Sequence, residues 1–142
     1  MRRTFLWINF VLSSLIVVLI FLQAYFITAY SAGAGESALD AHGFTGFALI
    51  HGAELFVFLT AFGAWPRAWK WIAYTLSLFV VGTIQIFLTP VDERTNGWLH
   101  GLLALVVMVM AAVIADRGMR ELGLRRSSPA GDAGTAPPRS VP

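Results

Sequence analysis

Four long apolar segments, separated by short polar stretches, make up most of this chain. They cover residues 5–27, 44–64, 69–89 and 98–115. Each is close to the roughly 20 residues that a helix, rising about 1.5 Å per residue, needs to cross a bilayer. The pattern therefore predicts an all-α protein with four transmembrane helices. Because the three connections are short, the simplest arrangement is an up-down-up-down four-helix bundle, in which the second and fourth spans lie diagonally across from each other.

Small and polar residues recur at helical spacing in every span, which marks the faces predicted to pack against other helices. We expect these faces to be formed by Asn9, Ser13, Ile16, Ile20, Gln23 and Ile27; by His42, Gly46, Leu49, Ala53, Phe56 and Thr60; by Thr75, Leu78, Gly82, Gln85 and Thr89; and by Gly97, Gly101, Ala104, Met108 and Ala111.

Positive charge lies almost entirely on one side of the predicted spans. Of the ten Lys and Arg residues, nine precede the first span, lie between the second and third, or follow the fourth, and only Arg94 lies in a loop on the other side. The positive-inside rule then predicts that both termini are cytoplasmic. This placement explains the pI of about 9.5, so no nucleic-acid partner is expected.

The 142 residues leave room for a single membrane domain, residues 1–126, followed by a short tail. Residues 127–142 are rich in Pro, Gly, Ala and Ser, a composition that predicts a disordered cytoplasmic tail. The absence of cysteine excludes disulfides, thiolate zinc sites and covalently attached haem.

A polar cluster is predicted near the outer ends of the spans. Gln23 and Gln85 lie about one turn inside the ends of the first and third spans, and His42 and His100 open the second and fourth. The order Gln-then-His occurs in both halves of the chain, which is consistent with the duplication of a two-span hairpin.

Gln23 late in the first span, His42 at the start of the second and Leu99-His100 at the start of the fourth form a recognisable order. In this order the chain resembles a family of small bacterial four-span membrane proteins that is described only as a domain of unknown function. The resemblance extends over roughly the whole membrane region. It implies a four-span fold in a bacterial plasma membrane, and it implies no activity.

Two histidines on diagonal helices of a bundle are a common way to hold a b-type haem without a covalent bond. His42 and His100 are therefore candidate haem ligands, with Gln23 and Gln85 as further cofactor-binding candidates. The alternatives are that the cluster binds a partner protein, or that both histidines are ordinary interfacial residues bonded to water, headgroups or loop carbonyls.

Glu54 lies near the middle of the second span, where a charged side chain costs about 3 kcal/mol on insertion scales. His51 is three residues earlier, so the two side chains can pair. The hypotheses are a proton-handling or cation-binding site, and a protonated Glu54 used only for packing. With uniform helical geometry, Glu54 lies about 120° around the helix from His42. His51 lies on the side opposite His42. Either the predicted small-residue face is misassigned, or His51 and Glu54 face a neighbouring helix or a second protomer, and a homo-oligomer would resolve the conflict.

No nucleophile–base set, phosphate-binding glycine loop or zinc-protease motif is present, which favours a non-enzymatic protein. Three functions remain: binding of a small cofactor or partner through the outer cluster, transport or proton relay through His51 and Glu54, and a structural or accessory role. The bilayer is the expected environment, and a second copy or another membrane protein is the expected kind of partner.

Overall fold

The computed structural model describes residues 1–88 and 97–125, and in this part of the chain all regular secondary structure is helical, with no strand. The helices are α1 (Arg2–Ser31), α2 (Glu36–Phe44), a π-helical segment (Thr45–Ile50), α3 (His51–Ala64), α4 (Trp69–Phe87) and α5 (Gly97–Glu121). The second, third and fourth elements are continuous, so that Glu36–Ala64 forms one 29-residue helix. The predicted tail at 127–142, Arg94 and Thr89 lie outside the described residues.

Within the described residues, four helices are long and apolar enough to span a membrane, as the hydrophobic pattern predicts. Large apolar side chains cover their outer surfaces: Val18 is 62% exposed, Phe47 67% and Phe87 82%. Such an outer surface suits lipid, which is as apolar as these side chains. The chain is thus a multi-pass membrane protein in contact with the bilayer.

The helices pack so that α1 and α4 each contact both α3 and α5. At one end of the bundle, the Arg2 guanidinium donates to the Ala64 carbonyl at 3.1 Å and pairs with Glu121. At the other end, residues of α1, α2, α4 and α5 meet around His42 and His100. We refer to these as the arginine end and the histidine end.

Two of the four predicted inward faces agree closely with the buried residues. In α1, Asn9, Ser13, Ile16 and Ile20 are buried. Ile27 is 39% exposed, so the prediction is wrong at this last position of the face. In α4, Thr75, Leu78 and Gly82 are buried. Small and polar residues at helical spacing therefore located the packed sides of these two helices correctly, because only such residues let backbones approach closely within lipid.

The inward face predicted for the second span is wrong at Leu49 and Phe56, which are 43% and 58% exposed. The reason is the π-helical segment. Its wider turn accommodates one residue more than an α-helix would, which rotates everything that follows by about 100°. The 120° that uniform geometry places between His42 and Glu54 is thereby largely removed, and Glu54, 1% exposed, joins the bundle interior.

The face predicted for α5 is also only partly correct. Ala111 is buried, but Gly97 and Gly101 are exposed, and the buried set shifts to Val107, Ile114, Ala115 and Gly118. Gly118 is the small residue that matters in packing, because a Cβ there would lie 3.0 Å from Phe10 Cβ on α1. The contact with α1 thus lies at the arginine end of α5, whereas the Gly97–Gly101 pair lies at its other end.

Candidate functional site

The histidine end holds the predicted cluster in a repeated geometry. His42 Nδ1 lies 3.2 Å from the backbone carbonyl oxygen of Gln23, and His100 Nδ1 lies 3.1 Å from that of Gln85. A carbonyl oxygen can only accept, so Nδ1 carries the hydrogen in both rings. In the neutral rings, Nε2 then has a free lone pair, and no described residue forms a hydrogen bond to it.

The two imidazoles approach each other across the end of the bundle. Their centroids are 6.3 Å apart and their planes are inclined by 49°. A metal-containing group held by both rings would bind through Nε2 of each.

Gln23 ties α1 to the start of the second span. Its Nε2 donates to the backbone carbonyl of His42 at 2.8 Å. A Cβ at Gly46 would lie only 2.6 Å from this Nε2, so the glycine makes room for the amide. The Gln23 Oε1 atom is buried and has no hydrogen-bond partner among the described residues. Gln23 thus positions His42 twice, through its backbone carbonyl and through its side chain.

Gln85 enters the cluster differently from the prediction. It contributes its backbone carbonyl, which accepts from His100 and also from the Leu88 N–H at 3.2 Å. The sequence pointed to glutamine side chains, whereas the contact common to both halves is made by the main chain. A backbone partner carries no side-chain signature, so sequence reasoning alone could not have identified it.

Gly43, Gly97 and Gly101 lie close to the two histidines in the sequence. A Cβ added at any of them would meet no atom of the described residues within 4 Å. Within the described residues, no group of three or more His, Asp or Glu could hold a metal ion by itself. Two imidazoles beside open glycine faces instead suit a metal whose remaining ligands come from a flat macrocycle.

A second polar site lies deeper in the bundle, between α3 and α4. Glu54 Oε2 lies 3.0 Å from His51 Nδ1, as the i, i+3 spacing predicted. The His51 ring stacks on Phe79 with centroids 4.7 Å apart and an angle of 15°. Glu54 Oε1 is buried without a hydrogen-bond partner among the described residues.

Gly82 borders the space that the Glu54 carboxyl group occupies. A Cβ at this position would lie 2.5 Å from Glu54 Cδ, far inside van der Waals contact. The carboxyl group therefore faces α4 of the same chain. Gly82 was predicted only as an inward-facing small residue, and neither its partner nor the stacking of Phe79 on His51 was anticipated.

Asn9 and Ser13 extend the buried polar groups along α1. Asn9 Nδ2 donates to the Val57 carbonyl at 2.7 Å and to Thr60 Oγ1 at 2.9 Å. Ser13 Oγ is buried and has no partner among the described residues. Asn9 thus fixes the contact between α1 and α3 through hydrogen bonds that lipid cannot replace.

Comparison of the chain with protein-family models, with curated proteins and with solved structures gives no match. The resemblance to the bacterial four-span family stays an expectation from the sequence.

Proposed function

We propose that this chain is a protein of the bacterial plasma membrane that binds one b-type haem between His42 and His100. The observation that supports it is the pair of neighbouring imidazoles, with ring centroids 6.3 Å apart, each with Nδ1 donating to a backbone carbonyl. That hydrogen bond fixes the tautomer and the orientation of a metal-binding histidine and makes Nε2 the ligand atom. Both rings thus have the same tautomer, with Nε2 as the available ligand atom, in the absence of any ligand.

Two histidine ligands define the chemistry that the cofactor would supply, which is the exchange of single electrons. His42 and His100 would hold the haem through Nε2, and the group held in this way would supply electron transfer rather than oxygen binding. The chain's own residues hold the two rings and shape the space between them. Gln23 has the largest share, because it holds His42 and joins α1 to α2 through its hydrogen bonds. The protein would then be an electron carrier or a haem-binding subunit rather than an oxygenase.

The proposed topology has alternating helix directions and both termini in the cytoplasm. The contacts of Arg2 with Ala64 and Glu121 support it, because they join the start of α1 to the ends of α3 and α5. Reporter fusions after Ala64 and after Arg125 should give cytoplasmic signals, and a fusion within residues 33–40 should give an external one. A cytoplasmic signal from residues 33–40 would place the histidine end on the wrong side and refute this orientation.

Visible absorption of protein purified from haem-replete cells tests the haem proposal. The parent should show the Soret and α bands of a low-spin b-type haem. The pyridine haemochrome spectrum should confirm the haem type. His42→Ala and His100→Ala should each remove the low-spin spectrum. His51→Ala is the matched control, because His51 belongs to the other site, and it should keep the spectrum. Colourless parent protein, or a spectrum unaffected by both His42→Ala and His100→Ala, rules the proposal out.

A second candidate function is proton relay or cation transport through His51 and Glu54. It is favoured by a carboxyl group that is 1% exposed and has one oxygen without a described partner. An intramembrane acid of this kind most often belongs to a transport pathway. Proton or sodium flux into liposomes should be present for the parent and lost in Glu54→Gln. Absence of flux from the parent leaves packing as the role of Glu54 and a structural or accessory role for that part of the bundle.

Glu54 does not require a second protomer to cover it, because it faces Gly82 of its own chain. The reason for expecting a homo-oligomer is thereby removed. An oligomer or another membrane protein remains a proposal that cross-linking in native membranes can test.

A further inference from the structure

A basic cleft opens at the arginine end, where the connection between α3 and α4 meets the last turns of α5. It is lined by Arg67, Ala68, Trp69, Lys70, Trp71 and Arg117. Three cationic side chains from two distant parts of the chain thus share one surface depression. Like charges placed together repel one another, so this arrangement calls for a negative charge that the cleft itself does not contain.

Among the described residues, the acids of this end are already engaged. Asp116 pairs with Arg120 and Arg125, and Glu121 pairs with Arg2 and Arg117. Glu121 also accepts a hydrogen bond from Trp65 Nε1 at 3.2 Å. Neither Arg67 nor Lys70 has an ion-pair partner in the described part of the chain. The two unpaired cations are therefore the ones that line the cleft.

The backbone also favours an anion here. Arg67 has φ +67°, a left-handed conformation that a residue with a Cβ adopts at a cost. The helix α4 begins directly after it, with Ala68 at the N-cap, no side-chain cap and no acidic residue in its first turn. A helix N-terminus attracts negative charge, and here the two unpaired cations, Arg67 and Lys70, strengthen that attraction.

The aromatic residues of the cleft identify the membrane interface. Trp69 is 70% exposed, and Arg117 lies over the Trp71 ring at 4.9 Å from its centroid. Tryptophan is enriched where headgroups meet acyl chains, because one part of the ring is polar and the rest is apolar. A ligand of this cleft would thus contact both cations and apolar surface.

We propose that the cleft of Arg67, Lys70 and Arg117 binds the phosphate headgroup of an anionic phospholipid. The phosphate would lie against the cations and the start of α4, and the acyl chains would extend along the apolar helix surfaces. Each basic residue near an anionic lipid surface is expected to strengthen association about five-fold. This proposal concerns the opposite end of the bundle from the haem site and does not depend on it.

Spin-labelled lipids in phosphatidylcholine vesicles provide the test. Association of spin-labelled phosphatidylglycerol with the parent should exceed that of spin-labelled phosphatidylcholine about five-fold or more at low salt, and the ratio should fall as salt rises. The Arg67→Gly, Lys70→Gln double variant should bring the ratio near one. The matched control is Arg3→Gln with Arg125→Gln, which removes two charges from the same end outside the cleft and should keep the preference.

Each outcome decides the proposal. An equal loss in the cleft variant and the control means that general surface charge attracts the lipid, which overturns a defined site. A parent without preference overturns it directly. Replacing chloride with inorganic phosphate at equal ionic strength should leave the preference intact; if phosphate abolishes it, the cleft is a free-phosphate site instead. The single variant Arg67→Gly tests whether a loss of lipid preference comes from misfolding. Glycine adopts φ +67° without strain, so this variant should lower the lipid preference without lowering thermal stability.

Discussion

Substitution of Gly82 tests whether Glu54 faces the bundle interior. An alanine Cβ would lie 2.5 Å from Glu54 Cδ, so the carboxyl group has to move. Glu54 is 1% exposed and its carboxyl group is held by His51, so it has little room to move into. Forcing atoms into a packed site costs about 1–3 kcal/mol, and a lost or distorted hydrogen bond adds about 1 kcal/mol. Alanine returns up to about 1 kcal/mol through its higher helix propensity.

The net expectation for Gly82→Ala is a loss of about 1–3 kcal/mol in the free energy of unfolding. When Glu54 is first replaced by alanine, the obstacle is gone, and the same substitution should be neutral or stabilising by up to about 1 kcal/mol. The double-mutant cycle should therefore give a coupling of about 1–4 kcal/mol between the two positions. Unfolding by SDS in mixed micelles, followed by circular dichroism, measures all four proteins.

Gly52→Ala is the matched control, because Gly52 lies in the same span as Glu54 and a Cβ there would meet nothing within 4 Å. It should be neutral or slightly stabilising. The outcome that would falsify the proposed placement is an equal cost for Gly82→Ala with and without the Glu54 side chain. The carboxyl group would then lie elsewhere, and the rotation attributed to the π-helical segment would have to be abandoned.

Three further substitutions test the polar interior, and two single-residue deletions test the helix phase. Asn9→Ala should cost about 1–2 kcal/mol in the same unfolding assay, since it removes both hydrogen bonds to α3. Glu54→Gln should stay within about 1 kcal/mol of the parent, whereas Glu54→Ala should cost about 1–2 kcal/mol more than Glu54→Gln; equal stability of the two would show that the carboxyl makes no useful bond. Deletion of Phe47 from the π-helical segment should be tolerated, because it restores α-helical geometry without rotating α3, while deletion of Leu59 from α3 should destabilise strongly.

The number and the approximate extent of the spans could be predicted from hydrophobicity, because a bilayer demands about 20 apolar residues per helix. The packed sides of α1 and α4 could also be predicted, because Asn9, Ser13, Thr75 and Gly82 repeat at the spacing of a regular helix. These predictions depend only on average helix geometry. They are reliable wherever the helix is uniform.

The face of the second span could not be predicted, because the π-helical segment has no clear sequence signature. The residues Thr45–Ile50 contain no proline and only one glycine. A one-residue change of phase is invisible in a hydrophobic pattern, yet it decides whether Glu54 faces lipid or protein. The apparent conflict between His42 and Glu54 was real evidence of such an irregularity. When uniform helix geometry would place an ionisable residue such as Glu54 in lipid, the result indicates an irregularity in the helix as much as it indicates an oligomer.

The two halves of the chain repeat a contact as well as a residue order, and this repetition bears on the proposed ligand. In each half, a histidine at the start of one helix donates through Nδ1 to the backbone carbonyl of the glutamine near the end of the preceding span. The acceptor in this contact is a backbone carbonyl, so a glutamine side chain is not what forms it. Two equivalent hairpins that face each other present two equivalent imidazoles to the space between them. A haem held by His42 and His100 would therefore bind to the same imidazole nitrogen in each half of the chain, and this equivalence is what the repeated hydrogen bond adds to the proposal.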